Sequence, residues 1–192
     1  MKIKNICVNC GSNTGTRSEY LNAAIDLGKY LAESNIGLVY GGAGVGLMGA
    51  VASSVMEKGG KVIGVIPESF ADRVGHDNLT ELHVVSTMHE RKTIMFDLSD
   101  GFIALPGGMG TIEEVFEVLT WAQLGFHSKP CGLLNICGYY DSILAFLNNA
   151  VAQQFVRQEH RDMLLVDVDP ESLITRFINY EVTHIDKWIN ID

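Results

Sequence analysis

Short apolar runs alternate along the chain with longer stretches in which apolar residues recur every three or four positions. The first kind predicts strands and the second amphipathic helices. "IKNICV" predicts a strand and residues 17–34 a helix; "IGLVYGG" predicts the next strand, before a helix from about Gly46 to Lys58. "KVIGVIP" follows, then a polar stretch, then "ELHVVS" and a helix near 88–98. "GFIALPGG" with a helix near 110–124, "CGLLNI" with a helix near 139–150, and "MLLVD" with a helix near 170–179 complete the order. The main strand candidates are continuously apolar, which suits strands covered on both faces and hence a parallel sheet between helix layers. Repeated strand–helix units with right-handed crossovers predict a doubly wound, Rossmann-like α/β fold. A closed eightfold barrel needs more units than 192 residues readily supply. With no internal repeat or linker, residues 1–192 are expected to form a single domain.

Charge narrows the ligand. Fourteen basic against 23 acidic side chains give a net charge of −9, which argues against a nucleic-acid partner. A small anion remains compatible, because backbone amides and one or two local cations suffice to hold a phosphate. The N-terminal "MKIKNICVNCGS" lacks the form of a signal peptide, and the other apolar runs have strand length. A soluble cytoplasmic protein without a membrane partner is expected. Cys7 and Cys10 have redox spacing, but Cys7 falls inside a strand, whereas a redox thiol belongs at a helix N-terminus. Cys131 and Cys137 make a poor second pair for zinc, so all four are expected to be small buried or loop residues.

Ligands of such a sheet bind outside the carboxyl ends of its strands. Three of those ends carry glycine-rich turns: "NCGSNTG" (9–15), "GGAGVGLMG" (41–49) and "PGGMGT" (106–111). Glycine lets backbone approach an anion, and the helix that follows offers free amides and the positive end of its dipole. The expected ligand is a nucleotide or sugar phosphate. Contacts are assigned to Gly11, Ser12, Gly41, Gly42, Gly46, Gly107, Gly108, Gly110 and Thr111. The second turn fails the dinucleotide fingerprint from either Gly41 or Gly42, and no turn carries the lysine of a phosphate-binding P-loop.

Two stretches add charge beside these turns. In "PGGMGTIEE" the glutamates are expected in the first helical turn, where capping or the dipole would explain one of them. A carboxylate beside a phosphate loop is otherwise repelled, so Glu114 suggests work on a group attached to the phosphate. By helical spacing Glu114 shares a face with Gly110 and Glu117, and Glu113 points elsewhere. In "STMHERKTIM" (86–95), the start of a helix bearing Arg91, Met88 and Lys92 are expected substrate or phosphate contacts; a solvated face explains the charges, or an arginine aimed at an anion or carboxylate. His89 has no second histidine at ligand spacing.

With "PGGMGTIEE", "GGAGVGLMG" and "MHERK", and with "GVIPE", "LTELHVV", "TWAQLG" and "KPCGLLNICGYYD", the chain resembles the Lonely Guy family over essentially its whole length. These proteins are cytokinin riboside 5′-monophosphate phosphoribohydrolases, often labelled lysine decarboxylases. The resemblance implies a Rossmann-like homodimer that hydrolyses the N-glycosidic bond of a purine nucleoside 5′-monophosphate without metal or organic cofactor. It places the catalytic pair at Arg91 and Glu114, and phosphate or ribose contacts at Gly107, Gly108, Gly110 and Thr111, with Lys92 beside the catalytic arginine and Thr120 a further substrate contact. The chain departs from the family at "DRV", where Asp72 precedes Arg73 and relatives carry roughly "REV". A pyridoxal enzyme would need a Schiff-base lysine, and none of the eight lysines reads as lying in an apolar pocket. A nucleotide-binding sensor or carrier on the same fold is the alternative from another class. A dimer is further expected from Phe116, Val118, Leu119, Trp121 and Leu124, more apolar surface than one sheet face covers.

Overall fold

In the computed structural model, which describes residues 2–181, the apolar runs form seven strands: β1 (Asn5–Asn9), β2 (Gly37–Tyr40), β3 (Val62–Pro67), β4 (Glu81–Val85), β5 (Gly101–Ala104), β6 (Cys131–Leu134) and β7 (Leu164–Asp167). They make one sheet in the order β4-β3-β2-β1-β5-β6-β7. Every neighbouring pair is parallel, with Cys7 opposite Val39 on one side and Phe102 on the other. The doubly wound α/β expectation is met. The parts of 1–192 beyond this range lie outside the described residues.

Successive side chains of a strand point to opposite faces, and here both faces are apolar. Ile6, Val8, Leu38 and Ile103 join Leu27 and Leu31 of α1 (Ser18–Glu33), Val51 and Val55 of α2 (Gly46–Glu57) and Phe177 of α8 (Pro170–Ile178). On the other face Cys7, Val39, Val65 and Phe102 meet Met95 of α4 (Met88–Asp97), Val115 and Val118 of α5 (Met109–Gln123) and Leu147 of α6 (Asp141–Ala152). Each fully buried aliphatic side chain contributes on the order of 1.5–3 kcal/mol. These two slabs hold the loop edge rigid.

Two helices were not legible in the pattern. The polar stretch after β3 forms α3 (Glu68–Val74), and Gln158–Asp162 forms the short α7. Since α3 buries none of its residues, it offers no apolar stripe to read. It is held by backbone bonds to the second glycine turn, Gly44 N–H to Val74 O (2.8 Å) and His76 N–H to Gly42 O (2.9 Å). Strand β4 is an edge strand with Leu82 and Val84 exposed, unlike the covered central strands.

Candidate active site at the carboxyl edge of the sheet

From β1 the chain winds outward through β2, β3 and β4, then returns to the other side of β1 for β5. The gap between β1 and β5 is therefore the topological switch point, where such sheets bind ligands. All three glycine turns meet around it. Gly11 N–H donates to Pro106 O (3.0 Å), and Leu47 N–H donates to Gly11 O (3.0 Å). A Cβ on Gly46, whose φ is +59°, would fall on the backbone of Ser12. A Cβ on Gly107 would meet Thr111 Oγ1 and the backbone nitrogen of Gly11. Glycine is required there so that the turns can touch. Gly108 and Gly110, by contrast, face open space.

Helix α5 starts behind that space with Gly108 as its N-cap and no capping side chain. Its first amides are free for an anion, aided by the dipole of a 15-residue helix. A cleft of about 240 Å³ lies between the first and third turns, walled by Gly11, Ser12, Pro106, Gly107 and Tyr139. The Tyr139 hydroxyl donates to Gly107 O (2.6 Å) and pins the third turn.

Arg91 and Glu114 come together as expected. The guanidinium Nη1 donates to Glu114 Oε1 at 2.7 Å, and Nε donates to the Val65 carbonyl at the end of β3 (3.0 Å). Their side chains are only 11% and 15% exposed, so the pair is shielded. Burial pushes the Glu114 carboxyl above the ordinary carboxylate range, and Arg91 only partly offsets it. A Cβ on Gly41 would collide with Arg91 Nη2. Gly41 and Gly42 are both buried; Gly41 makes room for the arginine, and Gly42 accepts from His76 N–H just after α3.

Helix α4 begins at Met88, which is exposed, and is capped by Thr87, whose hydroxyl accepts from Glu90 N–H (3.1 Å). The Glu90 carboxylate reaches back to Ser86 N–H and Oγ (3.0 Å each). The capping arrangement thus belongs to α4. Because α5 starts at Met109, its glutamates sit in the second turn and neither cap the helix nor face its first-turn dipole. Glu113 and Glu117 instead share Lys92, at 2.6 and 2.9 Å. Glu117 is therefore paired with Glu113 through this lysine, although spacing alone grouped it with Glu114. Burial disfavours the Lys92 ammonium, but its two carboxylate bonds outweigh this and raise its pKa. Thr120 lies about 9 Å farther along the helix than Glu114. Its hydroxyl donates to Phe116 O, and within the protomer it is not part of the cluster. Asp72 and Arg73 lie exposed on α3.

The cysteines are free; Cys7, Cys10 and Cys131 are buried and Cys137 exposed. Cys7 and Cys10 belong to cores on opposite faces of the sheet, and burial raises the pKa of both thiols. One lysine does occupy apolar surroundings, contrary to expectation. Lys129 Nζ lies 3.9 Å from the Phe96 ring centroid, donates to Phe96 O, and has its pKa lowered by burial. It sits just before β6, at the amino edge of the parallel sheet, away from every glycine turn. Lys92, near the turns, is engaged by two carboxylates. The residues therefore do not fit a pyridoxal phosphate enzyme.

Sequence reasoning missed two residues. Tyr139 could have been flagged only by knowing that its strand lies beside β5. Asn9, a polar residue ending the apolar β1 run, is 4% exposed and lines a small cavity with Glu114. Its signal was a buried-strand position occupied by an amide.

Fold and site together define a doubly wound α/β protein with three glycine turns meeting at its switch point and a shielded arginine–carboxylate pair beside them. The family model described as "Possible lysine decarboxylase" matches residues 48–177. The chain is 48% identical over 180 residues to "Probable cytokinin riboside 5′-monophosphate phosphoribohydrolase LOGL9" of Oryza sativa subsp. japonica, covering 93% of this chain and 79% of the relative. It is 46% identical over 184 residues to cytokinin riboside 5′-monophosphate phosphoribohydrolase LOG3 of Arabidopsis thaliana, covering 95% and 86% respectively. The chain belongs to the Lonely Guy (LOG) family, which that model describes. Among solved structures, the molybdenum cofactor binding protein from the phototrophic bacterium Rippkaea orientalis superposes with a TM-score of 0.70 at 24% identity, over 93% of this chain and 98% of that one. That likeness shows the fold alone. Among the described residues no helix is long and apolar enough to cross a membrane.

Proposed function

We propose that this chain hydrolyses the N-glycosidic bond of purine nucleoside 5′-monophosphates, releasing the free base and ribose 5-phosphate. The observation that carries this reading is the Arg91–Glu114 pair, 2.7 Å apart, beside three interlocked glycine turns. The activity named for the relatives supports it.

The α5 amides and the first and third turns hold the 5′-phosphate. Binding this remote group orients the reacting bond. The bond from C1′ to the base nitrogen breaks with its electron pair leaving on the base, and cationic charge builds on the ribosyl centre, as in glycoside hydrolysis. Glu114 faces that charge. Arg91 holds the carboxylate through Oε1, and Glu114 stabilises the cation and takes a proton from the water that adds to C1′. The departing base takes up a proton from solvent. No step calls on a metal or organic cofactor.

A homodimer belongs to this reading. Val118 is consumed by the protomer's own core, but Phe116, Leu119 and Trp121 are only partly buried and Leu124 is exposed, with Met88 and Met109 exposed at the same helix pair. Four unpaired cysteines fit a reducing cytoplasm. The second reading is a nucleotide-binding carrier or sensor on the same fold. Incubation of the pure protein with a panel of nucleoside 5′-monophosphates separates the two. Free base and ribose 5-phosphate in equal amounts support the hydrolase, and tight binding of every nucleotide without base release supports the carrier.

A further inference from the structure

Behind Glu114, on the sheet side, lies a cavity with room for about one water molecule (about 20 Å³), lined mostly by apolar groups such as Met95, Phe102, Val118 and Trp121. Asn9 is the one uncharged polar amide in its lining. It ends β1 at the switch point, pairs with Ala104 of β5, and projects to the same face as Cys7. The Cys7 thiol donates to Asn9 Oδ1 at 3.4 Å, which orients the amide and leaves its Nδ2 group without an acceptor among the described residues. Glu114 has the converse gap: Oε1 takes Arg91, and Oε2 has no donor among the described residues. An amide donor and a carboxylate oxygen, neither with a partner among the described residues, thus border one water-sized space.

We propose that Asn9 is a positioning residue for Glu114: its Nδ2 group bonds the free carboxylate oxygen through one water seated in this cavity. The inference rests on Glu114 being the reacting carboxylate. The amide fixes the carboxylate's rotation from behind, as Arg91 fixes it from the side, and favours its charged form. The groups facing Glu114 are Arg91 and Lys92 of α4, Glu113 and Glu117 of its own helix, and the Cys7 and Cys10 thiols near the end of β1. The two cations lower its pKa; the neighbouring carboxylate Glu113 and burial raise it. Cys7 and Cys10 are held neutral by burial, so Asn9 is the neutral donor in this set.

The test compares Asn9→Leu, Asn9→Thr and wild type across pH with AMP as substrate. In Asn9→Leu the acid limb of kcat moves up by about one pH unit and kcat at neutral pH falls several-fold, while KM stays within about twofold. Asn9→Thr, which keeps a donor, recovers most of the shift. Independently of turnover, the protein labelled with carboxyl-¹³C glutamate is titrated by NMR, Glu114 being the resonance missing from Glu114→Gln. Its midpoint rises by the same amount in Asn9→Leu. Should Asn9→Leu not fold, Asn9→Asp keeps the shape and removes the donor, and the midpoint rises further. An unchanged midpoint, or a changed KM with an unmoved limb, overturns the proposal. Absence of base release from wild type with the NMR shift intact overturns the hydrolase reading instead.

Discussion

Arg91 and Lys92 are neighbours on α4, and both reach carboxylates of α5, yet they do different work. Arg91 points inward, is held by Val65 O as well as Glu114, and forms one shielded pair at the switch point. Lys92, almost as shielded as Arg91, bridges Glu113 and Glu117, of which Glu113 is largely exposed. The planar fork of arginine grips a backbone carbonyl and a carboxylate in fixed geometry, whereas an ammonium serves as a point charge between two acids. One residue of helical rotation, about 100°, separates the cation paired with Glu114, the carboxylate proposed to react, from one that fastens two helices. Charge, partner number and exposure are alike in the two cations; they differ in which carboxylate each holds, Glu114 at 15% exposed for Arg91 against Glu113 at 55% and Glu117 at 26% for Lys92.

This contrast can be broken most severely at Arg91. Arg91→Met removes the donor that orients Glu114 and is expected to lower kcat by about 10²–10³-fold. Most of the loss falls in kcat rather than KM. Steady-state kinetics with AMP give the split, and a pure KM effect would assign Arg91 to binding.

Next in size is the 5′-phosphate. Its loss removes two or three charge-assisted bonds, each worth roughly 1.5–3 kcal/mol, so kcat/KM for adenosine should fall at least about a hundredfold below AMP. Equal turnover of the two would mean that the glycine turns do not hold phosphate.

The pH profile sharpens the comparison further. The reactive form of Glu114 is ionised, and burial places its pKa above the ordinary carboxylate range. Activity is therefore lost as pH falls through a value above about 4.5, with protonation removing the base form. A flat kcat down to pH 4 would contradict this assignment.

Lys92→Met should show the smallest effect. Activity stays within about tenfold of wild type, and stability falls by about 1 kcal/mol as Glu113 and Glu117 lose their bridge and repel one turn apart. Urea unfolding and the same kinetic assay measure both. A loss matching that of Arg91→Met would erase the distinction between the two cations.

Legibility in the sequence followed locality. The glycine turns, Arg91 and Glu114 stood out because each is a polar or flexible departure at the end of an apolar run. The sheet was legible because β1, β2, β3 and β5 are apolar on both faces. The partition of three acids between two cations was not, since it depends on how α4 faces α5 across more than twenty residues of chain. Nor was the start of α5 at Met109, which moved the glutamates out of the first turn. Asn9 and Tyr139 gain meaning only from strand order, which brings β1 beside β5 and β6 beside β5. Helix α3 buries none of its residues and is fixed by backbone bonds that carry no side-chain signature.

The central claim is that Glu114 performs chemistry on a nucleotide that other groups bind. Glu114→Gln keeps the shape of the side chain and removes its charge, so it separates the two roles. Base release from AMP by chromatography and AMP affinity by calorimetry are measured on the same preparation. The account predicts release lowered by about a thousandfold or more with affinity within a few-fold of wild type. Wild-type rates of base release in Glu114→Gln would contradict it.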